Sequence, residues 1–287
     1  MSKIQQILNS AWAVGRSDYL NLLSILKPAV DAGNFAAVEK ELSKESINVM
    51  CVNLGYAYRE WEFEDENLPN DSISVVRMDG VLYNWDTEYL ARCIGLALEN
   101  TKIAGVILKI DGVGGMINGL GELTSLIENA AKPIVAVVTG CCMSAHYWIA
   151  STAKRRLLLD KGCQVGSIGV VGTYYNASDA MKNAGIDFRE IYPDTSDLKN
   201  IEIRDIELNN DESRYKKYLE KIHALFCDTV SRNLSIPYEK ESPVFRGATF
   251  MGDEAIKAGL ADGYGNVDDA ARWILAQSIR KRTENIV

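Results

Sequence analysis

Three short segments hold the residues most able to do acyl chemistry. The first is Asp111-Gly112-Val113-Gly114-Gly115, which follows an apolar run read as a buried strand. Glycines at the C-terminal end of a parallel strand let backbone amides approach a ligand closely, and such amides can form an oxyanion hole. A tight strand-to-helix turn explains the same spacing. No Lys-Ser/Thr follows, so a phosphate cradle is not indicated. The second segment runs from Thr139 to Tyr147 and contains Ser144 and His146. A strand ends near Gly140 and an apolar helix begins, so Ser144 stands either as an exposed nucleophile or as an ordinary helix N-cap. By spacing alone the cap is favoured. The third is Val165-Gly166-Ser167-Ile168-Gly169-Val170, where Ser167 needs a partner if buried.

The base is the harder question. The chain has two histidines, His146 and His223, which leaves little for a zinc site or a Ser-His-Asp triad. Residues two apart on a helix do not face each other. His146 therefore reads as packing or as a substrate wall, and the count leaves room for a base other than histidine.

The elements that must position these segments follow from periodicity. The stretch 1–46 reads as short helices: IQQILNSAWAV after Ser2, a second helix capped by Ser17, and FAAVEKELSK after Asn34. An acidic stretch, Glu60 to Asp71, reads as a linker or exposed loop. From Ser72 strands alternate with helices: SISVVRMDG, DTEYLARCIGLALEN, IAGVILKIDG, GLGELTSLIENAA, KPIVAVVTG, MSAHYWIASTA and RRLLLD. Near-continuous apolar strands in such an alternation predict an α/β fold, a parallel sheet covered by helices on both faces. Beyond Gly169 the pattern gives a helix (NASDAMKNAGI), a strand (FREIY) and a polar segment from Pro193 to Asn210. A long charged helix follows over about 211–233, then helix, turn, short strand and helix. The expected organisation is an N-terminal helical extension and linker over 1–70 and a catalytic domain over 71–287.

Composition narrows the partners. With 31 Lys+Arg against 39 Asp+Glu the net charge is −8, which argues against nucleic acid and anionic lipid. The six cysteines include no Cys-x-x-Cys pair and read as reduced thiols in a cytosol-like compartment. No cofactor and no metal are expected. The N-terminus lacks a signal-peptide h-region. The longest uncharged stretch, Pro133 to Ala153, is interrupted by polar residues, so no membrane anchor is expected.

Taken in order, the motifs resemble the signal peptide peptidase A family of serine peptidases, including its short phage-type branch, which processes capsid or scaffold proteins during head maturation. The matching residues are Asp111 to Gly115, Lys132-Pro133, Ser144-Ala145-His146-Tyr147, Gly166 to Val170 and Val244 to Gly265. Ala11-Trp12-Ala13-Val14 is similar to the N-terminal segment of the phage-type branch. Gly112-Val113 stands where the family has Ser-Pro, and the family's glycine before the base is missing here. The resemblance implies a Clp-protease/crotonase-like fold and a Ser-Lys dyad. On that basis Ser144 is the nucleophile, Lys199 the base and Ser167 the residue that orients the lysine amine. The amides of Gly114 or Gly115 and of Ala145 hold the oxyanion. It also implies a homo-oligomer whose sites are shared between protomers, acting on polypeptides (capsid, scaffold or leader peptides) in the host cytoplasm or the phage prohead. Three other readings stay open: a catalytically silent capsid-assembly protein, a signal-peptide-degrading peptidase, and a crotonase-type acyl-CoA enzyme.

Overall fold

The computed structural model describes residues 12–14, 47–55, 60–62, 66–174, 176, 182, 183, 185 and 189–284. In chain order the strands and helices are β1 (Trp12–Val14), β2 (Ile47–Val52), β3 (Glu60–Trp61), β4 (Ser72–Leu82), α1 (Asn84–Glu99), β5 (Ile103–Met116), α2 (Leu120–Glu128), β6 (Ile134–Met143), α3 (Ala145–Ser151), β7 (Arg155–Leu158) and β8 (Gln164–Gly166). There follow α4 (Ile201–Asn209), α5 (Ser213–Leu234), β9 (Thr249–Met251), α6 (Asp253–Lys257), β10 (Gly263–Tyr264) and α7 (Val267–Glu284).

The strands form one sheet with the order β10-β7-β6-β5-β4-β2-β3, to which β1 adds on β5, β8 on β6 and β9 on β8. The centre is parallel: β4 with β5, β5 with β6, and β6 with β7. The antiparallel pairs are β2 on β4, β3 on β2, β1 on β5 and β9 on β8, whereas the end strand β10 runs parallel to β7 and β8 parallel to β6. β6 shows why the centre is continuously apolar. Ile134, Ala136 and Val138 face one core, with α1, α2, α3 and α5. Val135 and Val137 face the other, with Ala270, Ala271 and Ile274 of α7. A strand buried on both faces has no position left for a polar side chain.

Several sequence expectations change. Trp12–Val14, expected inside a first helix, forms a strand on β5. The rest of that helix, and the helices expected after Ser17 and Asn34, lie outside the described residues. Ile47–Val52 belongs to the sheet, so the sheet begins upstream of residue 71. Glu60–Trp61, within the expected loop, pairs with β2. These short segments take hydrogen bonds that the edges of β5, β4 and β2 would otherwise leave open. Residues 189–192 of the expected FREIY strand are irregular, and the polar segment after Pro193 contains α4. Of the helix expected over 176–186, only 176, 182, 183 and 185 are described. Among the described residues no helix is long and apolar enough to cross a membrane.

Candidate active site

Ser144 closes β6 and opens α3 with φ 53° and ψ −118°. The same conformation occurs at the start of α6, but there the residue is Gly252, with φ 47° and ψ −116°. A serine in that region costs on the order of 1–3 kcal/mol and persists only when its surroundings enforce it. Here they do. The Ser144 amide donates to Gly166 O at 2.8 Å, and its carbonyl accepts from Trp148 N at 2.8 Å. Every residue of α3 is buried. Trp148 stacks on Phe226 of α5 with ring centroids 4.5 Å apart, and Tyr147 Oη donates to Leu260 O at 2.8 Å. The hydroxyl makes no capping bond. It donates instead to Gly169 O at 3.3 Å. The helix-cap reading of Ser144 therefore fails at its side chain.

Around this turn the sheet brings together the other two motifs. β8 pairs with the end of β6, Gly166 opposite Met143, and so carries the Ser167–Gly169 loop to Ser144. Ser167 is itself held at φ 51°, its amide donating to Ala248 O at 2.8 Å. On the other side, Gly112 lies opposite Cys142. Asp111 Oδ1 accepts the Cys141 amide at 2.9 Å. A side chain at Gly140 would stand 2.3 Å from that same oxygen, so Asp111 is a clasp between the two strand ends.

Beyond Gly112 the strands part. Gly114 and Gly115 pair with Val81 and Leu82 of β4 along one edge. Val14 and Ala13 of β1 pair with the same two glycines, antiparallel, and therefore occupy the opposite edge. That is the edge facing β6 and Ser144. The result is a strand-shaped lane beside the serine, filled by the chain's own residues 12–14. This lane was not legible in the sequence, because a three-residue segment carries no usable period.

His146 is the other residue whose role the sequence hides. It is buried, and its Nδ1 accepts the Gly114 amide at 3.1 Å. One of the expected oxyanion donors is thus already engaged. Burial pushes the imidazole down to about 4, against an opposing pull from Asp111. The unfolded imidazole titrates near 6.5, so between those values the unfolded chain takes up a proton that the folded chain refuses. The residue's contribution to stability is complete above about pH 6.5 and is lost as pH falls through about 4. Denaturant midpoints should fall between pH 7 and 4, and fall less steeply in His146→Asn. Equal slopes would contradict this assignment.

Lys199 stands apart. It lies in an exposed turn between the 3-10 helix Asp194–Ser196 and α4, its amide donating to Ser196 O at 3.1 Å. Among the described residues no hydrogen bond or ion pair joins it to Ser144, Ser167, Asp194 or Asp197. The turn has its own framework: Arg204 lies 4.6 Å above the Tyr192 ring and donates to Asp197 O at 2.8 Å. Its apolar neighbours are bare, with Ile191 90%, Leu198 66% and Leu208 72% exposed. Among the described residues Lys132 is a lysine whose pKa burial lowers, but its Nζ donates to Ala97 O and Asn100 O, at 3.1 and 2.7 Å. It precedes β6, whereas Ser144 follows that strand, a separation of about 30 Å at ~3.3 Å per residue.

Residues 127–278 match the family description "Peptidase family S49". That span is just over half of the chain and contains Ser144, Ser167 and Lys199. The chain belongs to peptidase family S49. Its α/β sheet with flanking helices is the Clp-protease/crotonase-like fold of that family. Among curated relatives, it is 26% identical over 185 residues to the head-tail preconnector protein GP5 of Enterobacteria phage P21, covering 63% of this chain and 36% of that one. It is 28% identical over 178 residues to the capsid assembly protease C of Escherichia phage lambda, covering 61% and 39%. Protease 4 of Salmonella typhi is 25% identical over 265 residues, covering 84% and 41%. The S49 chain thus spans about four-tenths of the length of these relatives.

Proposed function

We propose that the protein is a serine endopeptidase in which Ser144 is the nucleophile and Lys199 of a neighbouring copy is the base. The observation that carries this reading is the Ser144 turn: a strained, buried serine whose hydroxyl caps nothing, at the mouth of a lane sized for an extended peptide. The exposed Lys199 arm supports the second half. A lysine becomes a base near neutral pH only when desolvated. The protomer leaves this arm in water, with bare apolar flanks that a second copy would cover.

In that assembly the neutral Lys199 amine takes the Ser144 hydroxyl proton as Oγ bonds to the scissile carbonyl carbon. The oxyanion rests on the amides of Gly115 and Ala145, the Gly114 amide being taken by His146. The ammonium then returns its proton to the leaving amine, and water, activated by the same lysine, cleaves the acyl-serine ester. Ser167, beside the turn, orients the amine. The similarity to two phage proteins with capsid and head-tail names favours a capsid or scaffold polypeptide as substrate and a head-maturation role. A leader-peptide substrate is the alternative within the same chemistry.

A fluorophosphonate probe tests the reading. Assembled wild-type protein should be labelled at Ser144; an unlabelled oligomer would favour a catalytically silent assembly protein, a reading to which the exposure of Lys199, with no hydrogen bond or ion pair to the protomer's own serine among the described residues, lends weight. An acyl-CoA enzyme has less support, since Asp111, within β5, is spent on the Cys141 amide. The lane adds a prediction of its own. A substrate strand has to displace β1, so Ala13→Pro, which removes that strand's central amide, should speed Ser144 labelling several-fold. An unchanged or slower rate would mean that β1 is not in the substrate's way.

A further inference from the structure

We propose that His146 is a positioning residue for the peptidase reaction: by holding the Gly114 amide it fixes the shape in which the Gly112–Gly115 strand meets a scissile carbonyl. The inference rests on the peptidase reading above. Three observations carry it.

The strand needs an external hold. Gly114 has φ 111°, a conformation that L side chains rarely adopt. A glycine there can turn its peptide plane at little cost. β4 constrains one edge of this strand; at the other edge β6 has already diverged, and the pairing there is with β1, the strand that a substrate would displace. The hydrogen bond from Gly114 N to His146 Nδ1, at 3.1 Å, selects one orientation of that plane.

The strand is also built around the ring. A side chain at Gly112 would come within 2.3 Å of His146 Nε2 and 2.4 Å of Cε1. Gly112 stands where the family pattern carries serine, and the imidazole occupies the space that serine would need. The departure in the glycine motif and the histidine after the nucleophile are two halves of one arrangement.

Finally, the holder is rigid and shares its element with the nucleophile. His146 is buried on α3, two residues after Ser144. One turn of backbone therefore sets both the serine hydroxyl and the glycine strand. Accepting from Gly114 places the ring proton on Nε2, and Nδ1 is not available as a base for Ser144.

The test uses the full chain in its assembled form and two variants. His146→Leu keeps the bulk and removes the acceptor. His146→Asn keeps an acceptor, its Oδ1 replacing Nδ1. Hydrogen exchange at the Gly114 amide should be at least ten-fold faster in His146→Leu and near wild type in His146→Asn. With a peptide substrate, kcat should fall ten-fold or more in His146→Leu with KM unchanged, and recover most of its value in His146→Asn. Gly112→Ala, which displaces the ring, should behave like His146→Leu. A folded His146→Leu that keeps both Gly114 protection and wild-type kcat would overturn the proposal alone. A wild-type oligomer that neither cleaves peptides nor labels at Ser144 would overturn the peptidase reading, and this proposal with it.

Discussion

Mixing Ser144→Ala chains with Lys199→Ala chains should restore peptide hydrolysis that neither variant has alone. Each substitution removes one half of the dyad, and losing a nucleophile or its base typically costs at least ~10³-fold in kcat. The protomer itself gives the reason to expect recovery on mixing. Ser144 is enclosed by β8, α3 and the Gly112–Gly115 strand, while Lys199 projects from a separately braced turn into solvent. If the lysine of one copy serves the serine of the next in a closed ring, a random equal mixture leaves about a quarter of the sites with both wild-type residues. Activity near that fraction is the expected result. If each dyad were built within one chain, no mixture would contain a complete site. A Lys199→Ala protein that retained full activity would remove Lys199 from the mechanism.

A second large effect concerns the glycine strand. Gly115→Ala should destroy activity and markedly lower the unfolding temperature. A Cβ at this position would lie 1.9 Å from Leu82 O and 2.6 Å from Leu82 C, both backbone atoms that cannot rotate away. The strands must separate locally, and overpacking of this kind costs about 1–3 kcal/mol or more. For a domain of this size each kcal/mol shifts the midpoint by roughly 2–4 °C. Gly121→Ala is the matching control. It lies in α2 with nothing near its would-be side chain. Replacing a helical glycine there should be neutral or stabilising by up to about 1 kcal/mol. Circular dichroism melts of the two variants, with Ser144 labelling alongside, would compare them directly. A Gly115→Ala protein as stable and active as wild type would contradict the close approach of β4 and β5.

The contrast between these two glycines shows what the sequence could reveal. The central strands and helices were legible because both of their periods are strong. Val135 and Val137 alternate with Ala136 and Val138 between two cores, and α1 repeats its buried face through Leu90, Ile94 and Ala97. Ser144 was legible as a position between strand and helix, but its freedom from capping duty depends on φ and on the Gly169 carbonyl, which are tertiary facts. The i, i+2 rule rightly separated His146 from Ser144 and could not say where the ring would go. Gly112 held that information, as an absent side chain whose meaning needs a neighbour 34 residues on. β1 was misread as helix because Ala11 to Val14 are as compatible with a helix as with a strand. The open edge of β5 decided the matter, and an edge is a property of the assembled sheet.

The measurement that bears most directly on the Ser144–Lys199 assignment is the rate of fluorophosphonate labelling in the assembled oligomer, with the adduct located by mass spectrometry. The expected adduct is on Ser144, formed rapidly in wild type and at least ~10²-fold more slowly in Lys199→Ala, in keeping with the usual contribution of a general base. An adduct on another residue, or labelling of Ser144 at the same rate without Lys199, would contradict the assignment.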